Sequence, residues 1–284
     1  MATADIRIRA HRKLDAGVTG ALRVTLHVPS IGRDLDVKWR VAPPGDADGW
    51  NNAPRKELAT YAAQKWFLDP QDYVVPPIAL RCIPLADYHP IDPAPEPTLP
   101  GTRCVLGTVM VWLHDTKVPE RLYEEQRFYL DSTYARHLAH FNLLTYLVEH
   151  RDTRRGNLLV ARNEANRRVF AVDNGIAFGG RLYNLFDDDW ADLRVPALPR
   201  RSVGRLARLG REDLLALGTV AQMREDPDGV LRPVPPDAPL DPRRGARRRD
   251  GELQLGLTED EIEELGERLE ELLEDVEEKE IPLF

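Results

Sequence analysis

A chain of 284 residues, 42% hydrophobic and 30% charged, has room for one large domain or two small lobes of an ordinary globular type. Its net charge is −8, but residues 252–280 hold fourteen acidic and two basic side chains, so the rest of the chain is mildly basic. No apolar run approaches the roughly 18 residues that span a bilayer, and the N-terminus lacks the apolar stretch of a secretory signal, so the expectation is a cytosolic protein without a membrane span.

The first third reads as strands. Ile6 and Ile8, then Leu22, Val24, Leu26 and Val28, then Leu35, Val37 and Trp39 alternate with polar residues, the period of half-buried strands. Residues 15–20 are turn-forming and carry Gly17 and Gly20. The spacing predicts a helix over 55–67, with Asn51 or Asn52 as its cap. A proline-rich loop, 84–100, precedes a buried strand over 105–113. Cys82 and Cys104 fit no zinc spacing and are expected as two reduced core thiols, with a disulfide left open.

From Pro119 the period changes. Tyr134, Leu138, Phe141, Leu144 and Val148 draw one apolar helical stripe. Two short strands, 157–160 and 169–172, flank a polar turn, and further helices are expected over 203–209 and 212–222. Residues 227–250, rich in proline and arginine, read as a linker. Arg243, Arg244, Arg247, Arg248 and Arg249 are read as pairing with the acidic tail; nucleic acid is not the expected partner. Thr258 and Glu261 read as a capping box, with Leu257 and Ile262 as its staple. Ile262, Leu265, Leu269, Leu272 and Val276 share one face of the terminal helix, which is expected to dock on the basic body or on a partner.

The layout is therefore α+β and two-lobed: a strand-rich N-lobe over 1–113, a mostly helical C-lobe over 114–226, a linker over 227–251 and an acidic amphipathic C-terminal helix over 252–284.

Chemistry concentrates in His150-Arg151-Asp152-Thr153-Arg154-Arg155-Gly156-Asn157 and in Asp173-Asn174-Gly175. Phosphoryl transfer needs the β- and γ-phosphate oxygens neutralised by metal and the attacking hydroxyl oriented and relieved of its proton. Asp152 suits the second task. Asn157 and Asp173 supply neutral and charged oxygens for Mg²⁺ or Mn²⁺, and a hairpin between them brings both to adjoining strand ends. His150 is read as a structural residue of the loop, and Arg154 and Arg155 as contacts to acceptor or phosphate, or else as solvated charge.

His-Arg-Asp with Asn five residues after the Asp resembles the protein-kinase catalytic loop, and Asp173-Asn174-Gly175 resembles its Asp-Phe-Gly metal motif. The Asp-Asn-Gly form followed by Phe178-Gly179 is similar to the secretory-pathway casein kinases. The short hairpin resembles the phosphatidylinositol 3-/4-kinase and HipA-like branch. The resemblance implies a protein-kinase-like fold with ATP and a divalent metal. It implies Lys38 on the third strand at the α- and β-phosphates, Glu57 as its ion-pair partner, Gly17 and Gly20 in the loop over the phosphates, and Val111, Trp112 and Leu113 as the hinge beside adenine. Arg40 and Lys56 compete with Lys38 for that place.

Three departures set the chain apart from ordinary protein kinases. The glycine loop has two glycines, Arg154 stands two residues after Asp152 where a lysine is usual, and no Ala-Pro-Glu follows Asp173. The expected reaction is transfer of the γ-phosphoryl group of ATP to a hydroxyl of a protein, lipid or small molecule. A nucleotide-binding scaffold without turnover and an AMP transferase are the rival readings.

Overall fold

The computed structural model describes residues 6–14, 20–44, 52–152, 155–179 and 190–284. It is an α+β protein of antiparallel sheets and helices, as the alternating and helical periods predict. Among the described residues, no helix is long and apolar enough to cross a membrane. The chain divides into two compact units, one formed by residues 1–58, 77–112 and 218–258, the other by 59–76, 113–217 and 259–284.

The first unit begins with β1 (Arg7–Lys13), β2 (Leu22–Val28) and β3 (Arg33–Val41). Helix α1 (Pro54–Ala63) follows, then β4 (Ile78–Pro84), the short α2 (Leu85–Tyr88) and β5 (Cys104–Val111). The strands form one antiparallel sheet in the order β1-β2-β3-β5-β4. Its inward face gathers Val24, Leu26, Val37, Trp39, Val105 and Val109, the residues whose alternation predicts the strands. Trp39 buries its ring there and donates its indole N–H to the Tyr88 hydroxyl at 3.0 Å. Pro54 opens α1, where its missing N–H leaves no helical bond unmade. Asn52 does not cap this helix: Ala53 accepts the first backbone bonds, and the Asn52 amide donates to the Val41 carbonyl at 3.0 Å.

Cys82 and Cys104 are joined, which corrects the expectation of two free thiols. The β4–β5 register sets Cys82 opposite Leu106 and Cys104 opposite Pro84. The two cysteines are thus diagonal neighbours on one face, 5.3 Å apart at Cα, within reach of a disulfide.

The second unit carries β6 (Thr116–Lys117), α3 (Glu125–Leu130), α4 (Ser132–Leu147), β7 (Leu158–Ala161), β8 (Val169–Ala171), α5 (Arg200–Leu206) and α6 (Arg211–Leu215). Helix α4 starts where Asp131 accepts from the backbone N–H groups of Thr133 and Tyr134. It is buried almost all round, and its polar side chains are engaged. Asn142 donates to the carbonyls of Trp190 and Asp192 and accepts from the backbone of Arg194 and Val195. The expected helix over 212–222 ends early, at Leu215, and its last residues pass into a strand.

That strand is β9 (Ala221–Glu225), followed by β10 (Leu231–Val234), β11 (Ala246–Arg249) and β12 (Glu252–Leu255), which form a sheet in the order β10-β9-β12-β11 within the first unit. The stretch expected as a linker is therefore part of a folded sheet. Pro235, Pro236, Pro239 and Pro242 lie in a loop pinned from beneath, and Pro233 lies on β10. Gln222 and Gln254 stand opposite each other, and between them they bind the backbone of Asp237, Ala238 and Leu240 at 2.8–3.1 Å. The arginines do not pattern as a strand because the inward residue of β11 is itself Arg247, whose guanidinium donates to the carbonyls of Asp241, Gly218 and Leu257.

Helix α7 (Glu259–Glu277) completes the second unit and packs on α4 and α6. Ile262, Leu265, Leu269 and Leu272 form its buried stripe, as their spacing predicts. Arg268 lies over the Tyr146 ring, donates to the Tyr146 carbonyl at 2.9 Å and pairs with Glu149 at 3.1 Å. Docking thus rests on apolar burial with one arginine at its rim. Leu272→Ala should lower the unfolding free energy by about 2–5 kcal/mol, as for other fully buried leucines, read from urea titration. A loss below about 0.5 kcal/mol would fit a surface position.

Beneath α4 lies a polar cluster. His140 meets the Ser202 hydroxyl at 3.0 Å, and His137 donates to the Asn166 side-chain oxygen at 2.9 Å. Asp72 lies 3.8 Å from His137 and 3.6 Å from Arg136. Burial pushes the His140 pKa down to about 4, against the pull of Asp72 and Asp69 and with the repulsion of His137 and Arg136 added. An unfolded histidine titrates near 6.5. Between those values the unfolded chain takes up the proton first. Stability is therefore full above about pH 6.5 and falls as the pH drops toward 4, by on the order of 1–3 kcal/mol. His140→Asn, which cannot be protonated, should flatten that fall in denaturant titrations across the window; a slope unchanged from the parent would remove His140 as its source.

Candidate active site

The loop after α4 is shaped by its two ends. Glu149 takes a left-handed conformation (φ 47°) just past the helix C-terminus, a place usually given to glycine. Its carboxylate is held there by Arg151 and by Arg268. Phe178, after the second motif, is also left-handed (φ 57°), buried, and donates its backbone N–H to the Val148 carbonyl at 2.6 Å. Residues 150–177 are thus a loop and hairpin whose ends are tied to one point, with uncommon backbone conformations at both.

Within it the β6-β7-β8 sheet sets the register. Leu158 pairs with Ala171, and the next rung is the Val172 N–H donating to the Asn157 carbonyl at 3.0 Å. Asn157 and Asp173 therefore come to adjoining ends of β7 and β8, as a hairpin between them requires. The Asn157 side-chain N–H donates to the Asp152 carbonyl at 3.0 Å. That bond turns the amide oxygen of Asn157 the other way, and it binds the loop carrying Asp152 to the hairpin. Asp152 and Asn157 are buried, and Asp173 is half-buried.

His150 is fully buried, and its backbone N–H donates to Thr145 at 2.9 Å. Burial lowers its pKa, with the Asp152 and Asp173 charges pulling the other way, so the ring is neutral at pH 7. Both carboxylates thus act on one buried imidazole, which fits the structural role expected for His150.

Lys38, Glu57, Gly20 and Val111, also predicted for the site, lie in the first unit. Lys38 is half-buried on β3, between Arg23 and Met110 on the neighbouring strands. Alternation puts it on the same face as Asp36 and Arg40. Glu57, in the first turn of α1, is buried and pairs with Arg40 at 3.1 Å, the residue that competes with Lys38 for that place. Sequence could not separate the two cations, because positions two apart on a strand share a face. Gly20 has φ 67° near the β1–β2 turn, with open space around its α-carbon; Gly17 and Arg154 lie outside the described residues. Val111 ends β5 opposite Val37, its N–H donating to Pro77 at 2.9 Å, and Leu113 begins the next unit two residues on. Trp112 between them donates its N–H to Asp36 at 2.9 Å, and the Arg23 guanidinium lies over its ring.

Among the described residues, no group of three or more histidine, cysteine, aspartate and glutamate side chains is arranged to hold a metal ion. Asn157 and Asp173 would supply two oxygen donors at adjoining strand ends. Such a set fits Mg²⁺, which keeps several waters and shares its ligands with substrate phosphates, and does not fit a metal that needs a full protein cage.

Asn157→Ala should remove a side-chain donor from the Asp152 carbonyl and cost about 1–3 kcal/mol of stability, because a hydrogen bond to a buried acceptor is lost. Thermal and urea unfolding measure it; no change would show that the bond does not hold the loop. Compared with protein-family models and with curated proteins, the chain matches none.

Proposed function

We propose that this protein is an ATP- and Mg²⁺-dependent phosphotransferase that moves the γ-phosphoryl group of ATP to a hydroxyl of a protein, lipid or small-molecule acceptor. The observation that carries the reading is the pair of hydrogen bonds, one from the Asn157 side chain to the Asp152 carbonyl and one from the Val172 N–H to the Asn157 carbonyl, that join the loop of Asp152 to the hairpin of Asn157 and Asp173. The first unit, taken by itself, supports the same reading: an antiparallel five-stranded sheet with Lys38 on its third strand, and a helix after that strand with a buried glutamate.

Asp173 and the amide oxygen of Asn157 are the proposed metal ligands. A divalent ion held there would neutralise the β- and γ-phosphate oxygens. Asp152 is assigned to the acceptor: it orients the hydroxyl and takes its proton as the oxygen attacks. Lys38 is assigned to the α- and β-phosphates, with Arg40 as the cation that keeps Glu57 in place. Manganese would serve in place of magnesium on the same oxygen donors.

The two aspartates are expected to fail differently. ATP with Mg²⁺ should raise the melting temperature of the parent protein, as any ligand selective for the folded state does. Asp173→Asn should remove that shift and abolish turnover. Asp152→Asn should keep nucleotide affinity, by calorimetry, while phosphate release falls by roughly 10²–10⁴-fold. A parent protein that no nucleotide–metal pair stabilises would sink the reading. Equal loss of binding in both variants would overturn the division of roles.

A further inference from the structure

Glu57 sits in the first turn of α1, and contacts from outside the helix fix the end that carries it. The first turn of α1 lies in the first unit, and so do β9–β12. They meet at Arg55, two residues before Glu57. Arg55 is buried, and its guanidinium donates to the Gly256 carbonyl at 3.3 Å. On the way it passes Gly245 so closely that a Cβ on that glycine would lie 2.3 Å from the Arg55 Nε and 2.5 Å from its Cδ and Cζ. Gly245 and Gly256 are themselves joined, the Gly256 N–H donating to the Gly245 carbonyl at 2.9 Å. The slot is therefore a glycine-lined opening between the segment that enters β11 and the segment that leaves β12.

That slot is braced. Arg247, two residues after Gly245, ties together the carbonyls of Asp241, Gly218 and Leu257. The other side of the small sheet is fastened to the large one. The Arg103 N–H donates to Gly229 at 2.7 Å, the Leu231 N–H meets the Cys104 sulfur at 3.5 Å, and Arg248 donates to Pro100 at 2.7 Å. Cys104 and Pro100 belong to the region of β5, which pairs with β3, the strand that carries Lys38 and Arg40. The small sheet thus grips α1 at one end and the β4–β5 side of the large sheet at the other.

We infer that β9–β12 is a built-in clamp that positions Glu57 by holding Arg55 in the glycine slot. Glu57 must meet Arg40 in a buried pair, and such a pair tolerates little displacement because a separated partner is left as a buried, uncompensated charge. Arg55 is then a positioning residue acting through Glu57. The nucleotide half of the inference rests on the phosphotransferase reading; the clamp itself does not.

Gly245→Ala is the test. The backbone at Gly245 is not left-handed, so alanine is conformationally allowed there, but its Cβ evicts Arg55 from the slot. Gly204→Ala, at a helical glycine with open space around it, is the control. Two readouts are taken on the full chain: amide hydrogen exchange of residues 54–63, and calorimetric affinity for ATP with Mg²⁺. The expected result is exchange in α1 raised at least tenfold and nucleotide affinity lowered about tenfold in Gly245→Ala, with the control at parent values. Exchange in α1 unchanged from the parent would overturn the clamp. Raised exchange with parent affinity would overturn the link from clamp to Glu57. A parent protein that binds no nucleotide would overturn the phosphotransferase reading and with it the Glu57 link, while the exchange result alone would still decide for or against the clamp.

Discussion

A sixteen-residue helix buried on nearly all sides must find partners for most of the polar groups it carries, and α4 shapes the second unit by that requirement. Asn142 fixes the segment from Trp190 to Val195, the Tyr134 hydroxyl bridges Leu122 and the Glu124 N–H, His137 reaches Asn166, and His140 reaches Ser202. Each bond draws a different stretch of chain onto the same helix. The loop that carries Asp152 leaves from the C-terminal end of α4, so its position is set by the most constrained element of its unit.

In the first unit the corresponding constraint is charge. Arg40 and Glu57 are both withdrawn from water, and a buried pair is costly unless the geometry is well kept. The apolar core of Val24, Leu26, Val37 and Trp39 does not include that pair. Retaining an ion pair where apolar residues would serve is easier to understand if the carboxylate or the cation has a further task, and the proposed nucleotide site supplies one.

Much of this was legible in sequence, and the limits have physical causes. β2, β3 and α4 announce themselves because one face of each strand and one stripe of the helix are apolar, and β5 because it is a mostly apolar run. The placement of Asn157 and Asp173 at adjoining strand ends was legible because it follows from a short hairpin with fixed register. The β9–β12 sheet was not. Its inward positions include Gln222, Gln254 and Arg247, which satisfy themselves on backbone carbonyls and amides and so leave no hydrophobic period to read. The disulfide was missed because two cysteines 22 residues apart imply nothing until the β4–β5 register makes them diagonal neighbours. Such a bond persists in oxidising surroundings, which sets it against the cytosolic expectation.

The discontinuity of the first unit bears on how the protein is made. Its three segments are separated by long stretches that belong to the other unit, and Arg55 and Gly256 stand 201 positions apart. The hairpins β1–β2 and β2–β3 need only their immediate neighbours and can form as soon as they emerge from the ribosome. The glycine slot cannot exist until residues 245–256 have been synthesised. During translation the segment bearing Glu57 is therefore already made, and without its contact to Gly256, throughout the time in which the loop bearing Asp152 and the hairpin bearing Asp173 are being made.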